Sequence, residues 1–384
     1  MYKLIYFDNS ATTKPYKEVL DSFMKVSENF FGNPSSLHSL GAASEKLLSK
    51  SRQQIADLLQ VKESEVLFTS GGTEGNNLAV KGTALIHAKR GKHMITTAVE
   101  HPSVLEAFRQ LSEEFDFDVT YLEVDSQGRI SAKDLLRSLR SDTILVSVMH
   151  VNNEVGTLQP IQEIGNILSK YPKVIFHVDY VQGAGKVPLD IKKCKIDLLT
   201  ISAHKFHGLK GSGVLYIRDG VHISPLFSGG SQEWKFRSGT ENVAGIVAMA
   251  KALRMTMEMR DREISKMIKV RNQLKEGLNK IEGTVINSPE KDSAPHILNF
   301  SIPGLKSEVF VHALEEKNIF VSTTSACSSK RKTISSTVLA MFKDEARAES
   351  TVRISLSYHN TAAEAESVIA AAKEAIIKLR EVMR

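Results

Sequence analysis

The chain has 384 residues, 42% of them apolar and 24% charged, with 10 Pro and no repetitive or low-complexity block, the composition of a globular protein long enough for two cores. Its 50 Lys and Arg against 44 Asp and Glu leave a formal charge of +6, yet the basic residues are scattered along helical stretches without interleaved aromatics, which argues against direct nucleic-acid binding. No run of about 18 apolar residues occurs and the start, MYKLIYFDNSATT, has no charged segment followed by a long apolar one, so a cytoplasmic protein without membrane spans is expected.

Seven short runs rich in aliphatic and β-branched residues recur through the first two thirds, at 66–69, 94–98, 119–122, 144–149, 174–178, 198–202 and 214–217. Most are separated by helical patterns. Runs such as Ile144-Leu-Val-Ser-Val-Met149 are apolar on both faces, as strands buried between two helix layers are. A largely parallel α/β sheet is therefore expected, with functional residues at the C-terminal ends of its strands. After Thr240 a helix is expected over 244–281, its apolar stripe and charged face suiting a connector. In the smaller α+β region beyond it, Val352-Arg-Ile-Ser-Leu-Ser-Tyr358 alternates strictly, with Arg353, Ser355 and Ser357 on a polar face. Residues 361–384 read as an amphipathic helix. The expected division is a large domain over 15–255 and a small one made of 1–14 and 256–384.

Two of these strands end on residues of complementary chemistry. Lys173-Val-Ile-Phe-His-Val-Asp179 ends in an acid, and Asp197-Leu-Leu-Thr-Ile-Ser202 runs into Ala203-His204-Lys205. Pyridoxal phosphate (PLP) chemistry needs such a pair, a carboxylate to keep the pyridine nitrogen protonated and a lysine to hold the aldehyde as a Schiff base. A strand-end Asp also serves as a helix cap and a lysine there is often only solvated, so the pair by itself leaves both readings open. Phe68-Thr-Ser-Gly-Gly-Thr73 adds a glycine turn after a strand, leading into a helix expected from near Asn76. Backbone N–H groups at such a start hold phosphate, although Gly71 and Gly72 would equally serve turn geometry alone. Gly183-Ala-Gly-Lys186 is not a P-loop, because Val187 stands where a magnesium-binding Ser or Thr belongs. His204 and His207 have no third ligand for a metal.

The two cysteines, Cys194 and Cys327, are isolated, which excludes a disulfide framework and a CxxC metal site but leaves room for one functional thiol. Cys327 lies in Thr323-Thr-Ser-Ala-Cys-Ser-Ser-Lys-Arg-Lys332, a small and polar stretch typical of an exposed loop. Cys194 lies in Ile191-Lys-Lys-Cys-Lys195, so both thiols have cationic neighbours and local charge does not choose between them.

Taken in order, Tyr6-Phe-Asp-Asn-Ser-Ala-Thr-Thr13, Phe31-Gly-Asn-Pro34, Thr69-Ser-Gly-Gly-Thr-Glu74, Glu100-His101, His150-Val-Asn-Asn-Glu154, His177-Val-Asp179 with Gln182, Ser202-Ala-His-Lys205, Arg237-Ser-Gly-Thr240 and Ser325-Ala-Cys327 resemble the cysteine desulfurases. These are a branch of the class V aminotransferase group within the fold-type I PLP enzymes, and the resemblance covers nearly the whole chain. It implies pyridoxal 5'-phosphate as cofactor, Lys205 as the Schiff-base lysine, Asp179 on the pyridine nitrogen and His101 stacked on the ring as a proton carrier. Asn153 and Gln182 would bracket the ring hydroxyl. Gly72, Thr73, Ser202 and His204 would hold the phosphate, joined by Thr240 from the other subunit of a homodimer. Arg353 would grip the carboxylate of L-cysteine, helped by Asn33, and Cys327 would take the sulfur as a persulfide. A selenocysteine lyase or cysteine sulfinate desulfinase of the same fold is the nearer alternative, and a non-catalytic RNA-binding or scaffold protein the more distant one. Family members that feed iron–sulfur scaffolds commonly extend beyond the point where this chain stops, Arg384. The expected acceptor is therefore a sulfurtransferase, such as one serving tRNA thiolation, in preference to an iron–sulfur scaffold.

Overall fold

In the computed structural model, which describes residues 4–323 and 334–382, the seven expected strands form one sheet. They are β1 (Val66–Thr69), β2 (His93–Thr97), β3 (Asp118–Leu122), β4 (Thr143–Met149), β5 (Ile175–Asp179), β6 (Leu198–Ser202) and β7 (Gly213–Ile217). Their spatial order is β1-β7-β6-β5-β4-β2-β3, and β7 runs antiparallel to both of its neighbours. Neighbouring residues of one strand feed opposite helix layers. Phe68, Ile95, Val146 and Phe176 pack with Leu48 and Ile55 of α1 (Ser39–Leu59). Leu67, Met94, Leu145 and Ile175 pack with Leu78 of α2 (Gly72–His87) and Phe108 of α3 (Pro102–Phe115). Both faces being covered, the strands have no solvent-facing side, which is why apolar residues predominate on both faces of the runs. Strand β3, at the sheet edge, has exposed positions.

Helix α4 (Val243–Asn279) matches the expected connector. Its first half, from Ile246 to Leu253, belongs to the sheet's core, whereas Met267, Val270, Leu274 and Leu278 belong to a second core with Ile5 and Phe7. That second core is built on an antiparallel sheet ordered Ser322–Thr323, β9 (Thr351–Ser355), β8 (Ile297–Ser301), Val285–Ile286. Helix α5 (Ala362–Val382) covers it with Ala365, Val368, Ala372 and Ile376. Among the described residues no helix is long and apolar enough to cross a membrane.

One local expectation shifts. The helix after the glycine turn starts at Gly72, not near Asn76, because Gly71, at φ +151, makes the turn and Gly75 N–H already donates to the Gly71 carbonyl. The alternation in β9 separates an apolar face from a polar one, and both are buried: Arg353 and Ser355 are 6% and 0% exposed. Their face is closed by the N-terminal turn, where Ser10 N–H donates to Ser355 Oγ at 2.8 Å.

Candidate active site

Strands β1, β2, β4, β5 and β6 all end at the same edge of the sheet, and there a cavity of about 250 Å³ opens. Among the sequence-derived candidates, Gly72, Thr73, His101, Asn153, Asp179, Gln182, Ser202, His204 and Lys205 line it together. A larger hollow of about 740 Å³ beside Leu4, Phe23 and Leu209 holds none of them.

Asp179 closes β5 and is 5% exposed. Its Oδ1 accepts the Val181 N–H at 2.9 Å and its Oδ2 accepts from Asn76 Nδ2 at 2.7 Å. Asn76 also donates to Ser103 Oγ at 2.9 Å, and Ser103 Oγ meets His101 Nδ1 at 2.8 Å. A chain of hydrogen bonds thus joins the acid to the imidazole. Sequence reasoning gave Asn76 and Ser103 no role, although Asn76 stands one helical turn beyond the Gly71-Gly72 turn and Ser103 two residues after His101. His101 caps α3, its Nδ1 accepting the Ser103 N–H at 3.1 Å. That donor assigns the proton of the neutral ring to Nε2. Burial, partly offset by Asp179 and reinforced by Lys205, lowers the His101 pKa, which favours the neutral ring.

Lys205 sits in the single turn Ala203–Lys205 that follows β6. Its Nζ donates to the carbonyls of Ser10 and Ala11, at 2.5 and 2.8 Å. The N-terminal turn is therefore the floor of the site. Gln182 Nε2 binds the Ser10 carbonyl at 3.0 Å, and Thr13 binds the His204 carbonyl through both its N–H and its hydroxyl. Burial together with Lys205 pushes His204 down to about 4. His207 is buried against Tyr16, with ring centroids 4.3 Å apart.

Arg353 reaches the same region from β9. Its Nη1 donates to the Asn153 carbonyl and its Nη2 to Asp8 Oδ1, each at 3.0 Å. Nε is buried and has no hydrogen-bond partner among the described residues. Asp8, which sequence reasoning left without a role, is pushed up by burial, against the pull of Arg353 and Lys205. Two further candidates are not brought to the cavity: Asn33 is exposed, with Oδ1 taken by the Ser35 N–H, and Thr240 is exposed on its own loop. Cys327 lies outside the described residues.

The site fits PLP by its donor set and its shape. Gly72 leaves a hollow in which a Cβ would meet Val181 Cγ2 at 3.0 Å and Ser202 Cβ at 3.5 Å, and backbone N–H groups begin α2 beside it. The side chain of Gln182 has Oε1 buried and without a partner among the described residues. Gly72, Thr73, Ser202 and His204 would hold the phosphate, Asp179 the ring nitrogen, and Lys205 the aldehyde carbon. Bound there, the cofactor supplies an electron sink that weakens bonds at the α and β carbons of an amino acid.

Behind the site Lys186 is 2% exposed, with no hydrogen-bond partner for Nζ among the described residues. Burial, with Lys205 and Arg353 nearby, pushes it down to about 7. The unfolded chain then binds more protons than the folded one from about pH 7 to the ordinary lysine value of 10.5, so this lysine makes stability rise with pH across that window. Lys186→Met is expected to raise stability at pH 7 by a few kcal/mol and to flatten the rise, measured by urea unfolding at pH 7 and pH 9.

The whole chain matches known proteins. It matches the family Aminotransferase class-V over residues 5–368. The chain belongs to that family, whose members are PLP-dependent enzymes. Within it, the chain is 48% identical over 373 residues to the "NifS/IcsS protein homolog" of Lactobacillus delbrueckii subsp. bulgaricus, covering 97% of each. It is 42% identical to "Cysteine desulfurase IscS" of Methanosarcina thermophila, covering 98% of this chain and 93% of that one. A solved "NIFS-LIKE PROTEIN" superposes with a TM-score of 0.91 at 38% identity, covering 97% of this chain and 99% of the other. The chain is thus similar to cysteine desulfurases from end to end.

Proposed function

We propose that this chain is a homodimeric cysteine desulfurase that converts L-cysteine to L-alanine and leaves the sulfur as a persulfide on Cys327. The observation that carries it is the convergence of Lys205, Asp179 and His101 in one cavity with Arg353 beside it. Lys205 Nζ takes the proton from the substrate α carbon, and His101 Nε2 is the atom that carries a proton to or from the site. In the sulfur step the substrate Cβ–S bond breaks and an S–S bond to the Cys327 sulfur forms. The β carbon gains a proton, so a cysteine and a thiol become an alanine and a persulfide with no external oxidant. The other cysteine, Cys194, is 5% exposed, and burial raises its thiol pKa, which disfavours the thiolate. The persulfide is a reversible store that a second thiol accepts.

Incubation with labelled L-cysteine tests this directly. Equal amounts of alanine and protein-bound sulfur, released by dithiothreitol, are expected; alanine without bound sulfur would refute a persulfide. Cysteine sulfinate and selenocysteine, offered in parallel, are expected to react without loading Cys327. For the acceptor, the loaded protein is given a sulfurtransferase of tRNA thiolation and an iron–sulfur scaffold from the same cell, and preferential labelling of the first is expected.

Arg353→Lys is expected to raise the KM for cysteine with cofactor content unchanged, by about 1.5 to 3 kcal/mol in binding, since an ammonium cannot make two parallel bonds to a carboxylate. Steady-state kinetics beside the cofactor absorbance check it, and an unchanged KM removes Arg353 from the substrate site.

A further inference from the structure

The turn expected to hold the phosphate is clamped from outside by two acid–arginine pairs that the chemistry above does not use. Arg52, on α1, is 9% exposed and lies between the rings of Phe68 and Trp234, at 4.4 and 4.5 Å from their centroids. It grips Glu233 with two bonds, Nη2 to Oε1 at 2.7 Å and Nη1 to Oε2 at 3.0 Å. Glu233 Oε2 also accepts the Phe68 N–H at 2.9 Å, which ties it to β1 two residues before the turn begins. On the turn itself, Glu74 Oε2 accepts the Ser70 N–H at 2.9 Å while its Oε1 accepts from Arg237 Nε at 2.9 Å.

Both clamps end on one segment. Glu233, Trp234 and Lys235 take φ values of 46°, 54° and 68°, a left-handed conformation that side chains adopt only under constraint. Arg52 supplies the constraint. Three residues past Arg237 stands Thr240, exposed and outside its own subunit's cavity. The same segment shows large apolar surface, with Phe227 52% and Trp234 49% exposed.

We propose that the Arg52–Glu233 and Glu74–Arg237 pairs tie the phosphate turn of each subunit to the Thr240 arm it extends to its partner, so that filling one cofactor site favours filling the other. The proposal rests on the dimer read above, in which Thr240 completes the partner's site. Phosphate bound at the turn stabilises the arrangement of residues 70 to 74 in which Glu74 accepts from both Ser70 and Arg237. Glu74 then holds Arg237 in place, and with it the arm that serves the other subunit. Thermodynamic linkage makes the effect reciprocal between the two sites. Glu233 and Glu74 are positioning residues, acting through the turn and through Thr240.

Mixed dimers, purified through two affinity tags, test this in trans. One subunit is intact, while the other carries Lys205→Ala, so that only the intact site gives the absorbance of lysine-bound cofactor. Adding Arg237→Gln to the silent subunit is expected to weaken cofactor binding at the intact one by about tenfold, the scale of one charge-assisted hydrogen bond. Glu74→Gln in the silent subunit, which keeps an acceptor for Ser70 but loses the charge, is expected to do the same. The wild-type dimer is expected to load with a Hill coefficient above 1. Unchanged affinity of the intact site with both substitutions, in protein that sediments as a dimer, overturns the coupling. Sedimentation of the wild-type holoenzyme as a monomer overturns the dimer reading beneath it.

Discussion

Lys205→Ala is expected to abolish the absorbance of lysine-bound cofactor and to lower turnover by at least roughly 10² to 10⁴, the contribution of a positioned general base. The lysine is fixed by its own strand: β6 delivers the backbone, the turn Ala203–Lys205 aims it, and the carbonyls of Ser10 and Ala11 hold its amine. Among the described residues no other lysine lines the cavity. The buried Lys186 does not line the cavity and is sealed at 2% exposure. Borohydride reduction followed by peptide mapping checks the assignment. A reducible cofactor link at wild-type occupancy in the Lys205→Ala protein would place the Schiff-base lysine elsewhere.

The parts of this site that sequence made legible are those attached to strand ends. Asp179 and Lys205 follow apolar runs whose buried character is local information, and a parallel sheet then brings the ends of β5 and β6 side by side. Contacts that depend on distant segments were not legible. Asp8 and Arg353 are 345 positions apart, and neither segment's pattern announces the other. The polar face of β9 has the alternation of a strand half in water, because alternation reports that two faces differ and not what each one meets. Asn76 escaped notice for another reason. The pattern predicts a helix from near Asn76, whereas α2 begins four residues earlier, which puts Asn76 one turn inside it with its side chain hydrogen-bonded to Asp179. Of the arm from Phe227 to Thr240 only Arg237-Ser-Gly-Thr240 stands out as a motif; its left-handed turn contains no glycine among Glu233, Trp234 and Lys235, so nothing local signals it.

Cys327→Ala is expected to leave cofactor content intact and to let cysteine bind, while sulfide and persulfide production fall to background, since the thiol is needed only once the Cα proton has left. From sequence the two cysteines were equivalent in charge, each flanked by lysines. Burial argues against Cys194. Cys194 packs in the sheet's core with Ile191 and Ile196, and its backbone carbonyl lies so close to Gly165 that a Cβ there would stand 1.9 Å from it. Burial and the nearby Asp190 carboxylate raise its thiol pKa, against a weaker opposing pull from Lys193. A sulfur in that position is disfavoured as a thiolate and does not line the cavity. Cys194→Ala should therefore leave sulfur transfer unchanged and cost stability only, on the order of 1 kcal/mol. The pair of variants makes a clean contrast when persulfide is trapped by alkylation and counted by mass. Sulfide release by Cys327→Ala at the wild-type rate, or a loss confined to Cys194→Ala, would reverse the assignment, because the core cysteine would then have to open to solvent during every turnover.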